Sequence, residues 1–298
     1  MKARRKASRT IIVAAISAVV LAGTLIAVQE GSWYRTTDRA RMAMRHLNQR
    51  LHYTFGWQLP GTPDLTALDA RLREKNLKRG DAVFMRVFKN ELELELWMQQ
   101  GDRFVLFASY PICYWSGRLG PKVRQGDKQA PEGFYAVSKN QLNPNSRWYR
   151  SFNVGFPNIL DQAHGRTGSY LMVHGGCSSV GCYAMTNPVI TEIWELVTAA
   201  LDKGQGSFGI HIFPFRLTET RLNAYDGDDW ASFWRDMKPG YDLFERTKIP
   251  PQISVCQKRY VAEAGVPGAK TSVPRNACPA GGGSSAAVDV DAPKADAG

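Results

Sequence analysis

The sequence predicts a mostly β domain with flanking helices, an α+β fold, and three patterns indicate it. Residues 91–96 alternate strictly between Glu and Leu, which is typical of a strand with one face on a core and the other in water. Apolar runs at residues 83–88 and 103–110, separated by turn residues, extend this strand into a β-meander. Apolar residues at helical spacing precede residue 80 and follow Asn187.

The region before residue 80 is expected to form two helices. The first carries Ala40, Met44, Leu47 and Leu51 three or four positions apart, which places them on one face. Asp64 follows a turn rich in Pro and Gly and is expected to cap the second helix at its N-terminus.

Further elements are expected on both sides of a cysteine-bearing loop. Residues 134–137 and 169–174 form short strands, and the second of these leads into two glycines. Asn187 caps a helix that ends at residues 203–204, followed by a strand at 208–215 and a short helix at 230–237. From about residue 266 the chain is rich in Gly, Pro, Ala and Ser, so it is predicted to be largely disordered.

The bulk composition suits a globular protein that does not bind nucleic acid. Of the 298 residues, 44% are hydrophobic and 22% are charged, which is enough apolar content for a packed core. The net charge is +11, but no run of five basic residues occurs after position 10. Basic and aromatic residues are not interleaved as in nucleic-acid-binding motifs. The basic surface would still favour docking on an anionic cell-wall polymer.

The N-terminus has the pattern of an export signal. Basic residues within positions 1–10 precede an uncharged apolar run of 18 residues, at 11–28, which is near the shortest length that spans a bilayer. Because the positive residues come first, the remainder of the chain is expected to cross the membrane. We therefore predict a signal anchor at residues 1–29, with a cleaved signal peptide as the alternative. The part of the chain after residue 29 would lie in the periplasm or cell envelope, and the N-terminal segment would anchor it to the inner membrane.

Five cysteines fit an exported protein: Cys113, Cys177, Cys182, Cys256 and Cys278. An odd number leaves one thiol without an intramolecular partner, and a nucleophile is one reason to keep such a thiol free. The other four allow three pairings, between which the sequence does not choose.

The segment between His174 and Cys182 contains a base, a glycine turn and two thiols within nine residues. An imidazole close to a cysteine can generate the reactive thiolate, and Gly181 would let the backbone approach a substrate carbonyl. Two other readings remain open. Cys177 and Cys182 could form a local disulfide, or they could bind a metal with His174, although that set is one ligand short of a closed zinc site.

The sequence Ser179-Val180-Gly181-Cys182-Tyr183, preceded by Val173-His174-Gly175 at a strand end, resembles the L,D-transpeptidase catalytic domain. Residues 115–122 (WSGRLGPK) and 129–135 (QAPEGFY) are similar to its subgroup with a short loop between His-Gly and Ser-x-Gly-Cys. The resemblance covers residues 81–255. It leaves a helical segment at 30–80 and a C-terminal extension at 256–298.

This resemblance implies a β-sandwich catalytic domain in which Cys182 attacks a peptidoglycan stem peptide at the carbonyl of its third residue, diaminopimelate or an equivalent. The thioester would pass to an amine or to water without a cofactor or metal. His174 would be the base, Gly175 would orient it through its carbonyl, and Ser179 and Gly181 would shape the loop.

Several alternatives accompany this interpretation. The common family spacing between His and Cys is longer than here, which makes His164 a second candidate base. The short loop favours hydrolysis over transfer, with release of a peptide or a wall-attached protein. A papain-like peptidase is disfavoured because its Cys precedes its His. A non-catalytic wall-binding scaffold with structural cysteines is the main competing class.

Two disulfides are expected. Cys113 and Cys177 both border the proposed cleft, and Cys256 and Cys278 flank the end of the folded region, so we expect the pairs Cys113–Cys177 and Cys256–Cys278.

Overall fold

The computed structural model describes residues 33–270 and 273–278; the predicted anchor at residues 1–29 lies outside this part. The helices are α1 (33–54), α2 (Leu68–Glu74), α3 (Ile159–Ala163), α4 (Asn187–Asp202), α5 (Glu219–Ala224) and α6 (Ala231–Thr247). The strands are β1 (Val83–Phe88), β2 (Glu93–Gln100), β3 (Arg103–Pro111), β4 (Tyr114–Trp115), β5 (Gly133–Ser138), β6 (Leu142–Ser146), β7 (Tyr149–Asn153), β8 (Met172–His174), β9 (Tyr183–Ala184), β10 (Ser207–Phe213), β11 (Gln252–Cys256), β12 (Arg259–Glu263) and β13 (Arg275–Asn276). None of the helices in the described part is long and apolar enough to cross a membrane.

The described residues form two five-stranded sheets and one three-stranded sheet. The central sheet has the order β3-β2-β1-β10-β5, and the sheet that carries the cysteine loop, the site sheet, has the order β4-β9-β8-β7-β6. The third sheet has the order β12-β11-β13. Mixed sheets with flanking helices confirm the predicted α+β class.

The central sheet is buried on both faces. Successive side chains of a strand point to opposite faces, and in β1 Val83, Met85 and Val87 belong to a core shared with the site sheet and α4. Phe88 belongs to a second core, against α5, α6 and the third sheet. The site sheet therefore packs on one face of the central sheet, and the other face of the central sheet is covered by α5, α6 and the third sheet.

The expectation that the Glu stripe of β2 faces water is wrong at Glu95. Its side chain is buried, and it forms ion pairs with Arg86 at 2.7 Å and Arg216 at 2.9 Å. Trp97 also donates a hydrogen bond to it, at 2.8 Å. The alternating pattern is the same for a wet face and for a face covered by a charge network, so the sequence alone could not separate them.

Two expectations, on the length of the last helix and on the C-terminal segment, need correction. Helix α6 runs to Thr247 rather than ending near 237, because it continues through Pro239 and packs Gly240 closely against Phe134. Packed structure also continues beyond residue 255. Strands β12 and β13 lie within the segment assigned to the C-terminal extension, and Tyr260 of β12 is buried.

The two expected disulfides are present. Cys113 is bonded to Cys177, which ties the end of β3 to the cysteine loop. Cys256 is bonded to Cys278, which holds the last described residues against the third sheet. Cys182 is the free cysteine of the described part. This pairing excludes both the local disulfide between Cys177 and Cys182 and a metal site that uses Cys177.

Candidate active site

His174 ends β8 and Cys182 immediately precedes β9, the neighbouring parallel strand of the site sheet. The register pairs Val173 with Tyr183 and His174 with Ala184. Cys182 therefore lies beside Met172, whose N–H donates to its Sγ at 3.3 Å. Residues two apart on a strand point to the same face, so the imidazole and the thiol share one face as diagonal neighbours.

The thiol is hydrogen-bonded to backbone rather than to the imidazole. Its Sγ–H donates to the carbonyl oxygen of Tyr170 at 3.7 Å. Among the contacts of residues 33–270 and 273–278, Met172 and Tyr170 are the hydrogen-bond partners of this sulfur. The thiol proton must therefore leave the carbonyl of Tyr170 before it can pass to the imidazole.

The ring of His174 is fixed in one tautomer. Its Nδ1 lies 2.6 Å from the carbonyl oxygen of Gly175. Because a carbonyl only accepts, Nδ1 carries the proton and Nε2 is the basic nitrogen. Trp148 packs over the ring at a centroid distance of 5.7 Å. The expected orienting role of the Gly175 carbonyl agrees with this geometry.

Ser179 closes the loop in front of Cys182 with two hydrogen bonds. Its hydroxyl donates to the carbonyl of Cys182 at 2.6 Å and accepts from the N–H of Cys182 at 2.8 Å. The Ser179 side chain thus bonds to both backbone groups of the cysteine. This contact accounts for a serine three residues before Cys182.

Gly181 connects this loop to the segment after β4. Its N–H donates to the hydroxyl of Ser116 at 2.6 Å, and that hydroxyl donates to the carbonyl of Lys128 at 2.8 Å. Its φ of +103° is a conformation that favours glycine. The N–H groups of Gly181 and Cys182 are thus both bonded to serine hydroxyls.

Gly175 is required by its surroundings. A Cβ at this position would lie 2.5 Å from Oδ1 of Asn187 and 2.9 Å from the carbonyl oxygen of Trp148. Asn187 accepts a hydrogen bond from the N–H of Gly176 at 2.9 Å. Asn187 thus stabilises the loop instead of capping α4, which has Thr186 at its N-cap position.

Burial dominates the electrostatics of the pair. It raises the pKa of the Cys182 thiol, and the Met172 N–H and the charge of Lys122 oppose this by lowering it. Burial also lowers the pKa of His174, opposed by the Gly175 carbonyl. Both shifts favour neutral forms, so the resting pair is a thiol and an imidazole rather than a thiolate and an imidazolium.

The other histidines lie in different surroundings. His164 is exposed, and its Nε2 lies 2.9 Å from the carbonyl of Lys258, next to the third sheet. His211 is buried between Phe84 and Phe134, and burial lowers its pKa to about 3. His46 packs on the rings of Tyr114 and Trp115, and burial, together with the charge of Arg50, lowers its pKa to about 4.

Comparison with known proteins gives the family. The model of the YkuD family, the L,D-transpeptidase catalytic domain, matches residues 87–227. A protein of Escherichia coli strain K12 named "Putative L,D-transpeptidase YafK" is 50% identical over 182 residues, which are 61% of this chain and 74% of that protein. The chain belongs to the L,D-transpeptidase catalytic-domain family.

Two solved structures match the chain at lower similarity. The helical cell shape determining protein Pgp2 of Campylobacter jejuni is 19% identical, with a TM-score of 0.37, covering 60% of this chain and 68% of that one. Bd1075 of Bdellovibrio bacteriovorus is 19% identical, with a TM-score of 0.34, covering 55% and 60%.

Three residues of this L,D-transpeptidase domain were missed by sequence reasoning. Lys122 is buried and supplies the positive charge that acts on the thiol. Ser116 holds Gly181, and Trp148 covers His174. Lys122 and Ser116 lie in the stretch 115–122 that resembles the family, which was the available signal. In the described part of the chain, no group of three or more His, Cys, Asp or Glu side chains is arranged to hold a metal ion.

Proposed function

We propose that this protein is a peptidoglycan-modifying cysteine enzyme in which Cys182 is the nucleophile and His174 the base. The observation that carries the proposal is the joint placement of a free thiol and an imidazole with basic Nε2 on one face of the site sheet. A positioned base is what a neutral thiol needs for attack on a carbonyl.

The reaction proceeds in two acyl-transfer steps. Nε2 of His174 takes the proton of Cys182 as Sγ bonds to the carbonyl carbon of the third stem-peptide residue. The tetrahedral intermediate collapses, the bond to the next residue breaks, and the imidazolium returns the proton to the leaving amine. The thioester is then attacked by an amine or by water, which gives its proton to Nε2. The bond between Sγ and the acyl carbon breaks, and the imidazolium returns this proton to Sγ, which restores the thiol.

We further propose that hydrolysis predominates, releasing a peptide or a wall-attached protein from peptidoglycan. Only seven residues, Gly175 to Gly181, connect the base to the cysteine. Val180 and Tyr170 on either side of the thiol are largely exposed, and the Cys113–Cys177 bond holds the loop to the body. Transfer to an amine requires that water is excluded from the thioester. A loop that is this short and is tethered by a disulfide covers little of the thioester, so water can reach it.

The test is a partition measurement with the purified full chain. A stem-peptide donor is supplied with increasing concentrations of an amine acceptor, and free tripeptide is compared with cross-linked product by mass spectrometry. Hydrolysis is expected to dominate at modest acceptor concentration. Dominant cross-linking would reject the hydrolytic preference but leave the cysteine mechanism in place. Absence of a thioester on Cys182 in the presence of donor would reject the mechanism and favour a scaffold.

Two further proposals concern the cell. The sequence of residues 1–29 supports export to the periplasm or cell envelope and attachment to the inner membrane. A reporter fused after residue 298 should be active only outside the cytoplasm, and activity inside would reject this location.

A further inference from the structure

Helix α1 carries an apolar stripe on its outer face, which an ordinary surface helix does not. A helix on a soluble protein buries its apolar stripe and exposes its polar face. In α1 Met44 is 67% exposed, Leu47 55% and Leu51 45%. Tyr34 and Met42, on the other side of the helix, are partly buried and pack against the cores. Asp38 and Gln49 are the buried residues of this helix in its described part. The stripe predicted from the sequence is therefore real, but it points away from the body.

Polar contacts hold the inner face of α1 to the body. Asp38 accepts hydrogen bonds from Asn90 at 2.6 Å and from Tyr225 at 2.9 Å, and it pairs with Arg221 at 2.7 Å. Arg45 donates to the carbonyl of Asn90 at 2.9 Å. These contacts fix the rotation of α1 about its axis, so the outward direction of the stripe is set by the fold.

The outer stripe is narrow and continuous. At 3.6 residues per turn, Trp33, Ala40, Met44, Leu47 and Leu51 fall within a sector of about 60°, and all five are exposed. An apolar strip of this kind, left uncovered along one helix, marks a surface for an apolar partner.

The residues beside the stripe indicate what this partner is. Arg41 lies on one side of it, Arg39 and Arg50 lie on the other, and all three are exposed. Asp38 is the one acidic residue between positions 33 and 57, and it is buried against Arg221. An apolar face flanked by arginines on both sides fits a helix lying in the headgroup region of a membrane.

We propose that α1 lies on the surface of an anionic lipid bilayer. Its apolar stripe would enter the acyl boundary and the flanking arginines would bind lipid phosphates. Exposed aromatic rings, Trp33 within the stripe and Phe55 and Trp57 just after the helix, suit the same boundary. A second copy of the chain is the poorer occupant, because stripe-to-stripe packing would bring arginines of like charge together.

Site-specific photo-cross-linking in the full chain tests this proposal. A benzophenone amino acid replaces Leu47, or replaces Val266 as the matched control, since Val266 is 53% exposed and lies in the C-terminal region. Each protein is reconstituted in vesicles of phosphatidylcholine with or without phosphatidylglycerol, irradiated, and analysed by mass spectrometry. The alkylation rate of Cys182 confirms that both variants are folded.

The expected result is lipid adducts at position 47 that exceed those at 266 by about tenfold in vesicles with phosphatidylglycerol. Without the anionic lipid, or after Arg39→Gln with Arg41→Gln, these adducts should fall by about the same factor. Adducts between two chains would overturn the proposal in favour of a dimer. Adducts to residues 11–28 of the same chain would overturn it in favour of an internal cover. Equal lipid labelling at 47 and 266 would also overturn it.

Discussion

Removal of one hydroxyl in the loop gives the sharpest test of how Cys182, the proposed nucleophile, is positioned. Ser179→Ala deletes the two hydrogen bonds, of 2.6 and 2.8 Å, that hold the carbonyl and N–H of Cys182. Each is worth about 0.5–1.5 kcal/mol net, so the loop should lose about 1–3 kcal/mol of local stability. If this loss displaces the thiol from its reactive position, kcat/KM should fall by about 10- to 100-fold.

The adjacent Ser178 supplies the matched control, since it is exposed and lies in the same loop. Both variants would be compared by kcat/KM on a stem-peptide donor, by urea unfolding and by the alkylation rate of Cys182. Ser178→Ala should match the native protein in all three measurements. Equal kcat/KM for the two variants would show that the hydroxyl of Ser179 does not position Cys182, and the mechanism would need another explanation for the motif serine.

Further predictions concern the reacting pair and its surroundings. Cys182→Ala should abolish turnover while the urea unfolding curve is unchanged; retained turnover would exclude it as the nucleophile. His174→Ala should lower kcat by about 10²–10⁴-fold and His164→Ala should have little effect, and the reverse ranking would move the base to His164. Because burial raises the pKa of Cys182 and lowers that of His174, the alkylation rate should rise about tenfold per pH unit from pH 6 to 8. A plateau below pH 7 would instead show a preformed ion pair. Non-reducing peptide mapping should find Cys113–Cys177 and a free Cys182 in active protein, whereas a bridged Cys182 would contradict the mechanism.

The sequence predicts the local features of the site well, because they rest on short-range chemistry. The carbonyl of Gly175, next to His174, fixes the tautomer of the imidazole. Ser179, three residues before Cys182, bonds to the N–H and the carbonyl of that cysteine. The strand that carries His174 was predicted in position, although the structure shortens it to three residues.

The sequence could not predict which side chains are covered by distant segments of the chain. Glu95 in an alternating strand is buried because Arg216 and Arg86 come from distant segments. The apolar stripe of α1 points outward, while Asp38 on its inner face pairs with Arg221, far along the chain. Periodicity shows which residues share a face, but it does not show what covers that face.

The disulfide pattern places a demand on the order in which the chain is oxidised. Pairing the cysteines as they emerge during synthesis would join Cys113 to Cys177 and then Cys182 to Cys256, leaving Cys278 alone. The native pairing instead skips Cys182. Correct maturation therefore requires either that the third sheet forms before the later thiols are oxidised, or that a mispaired Cys182 is released by thiol exchange. Oxidative folding, and not only peptide chemistry, thus has to leave this sulfur free.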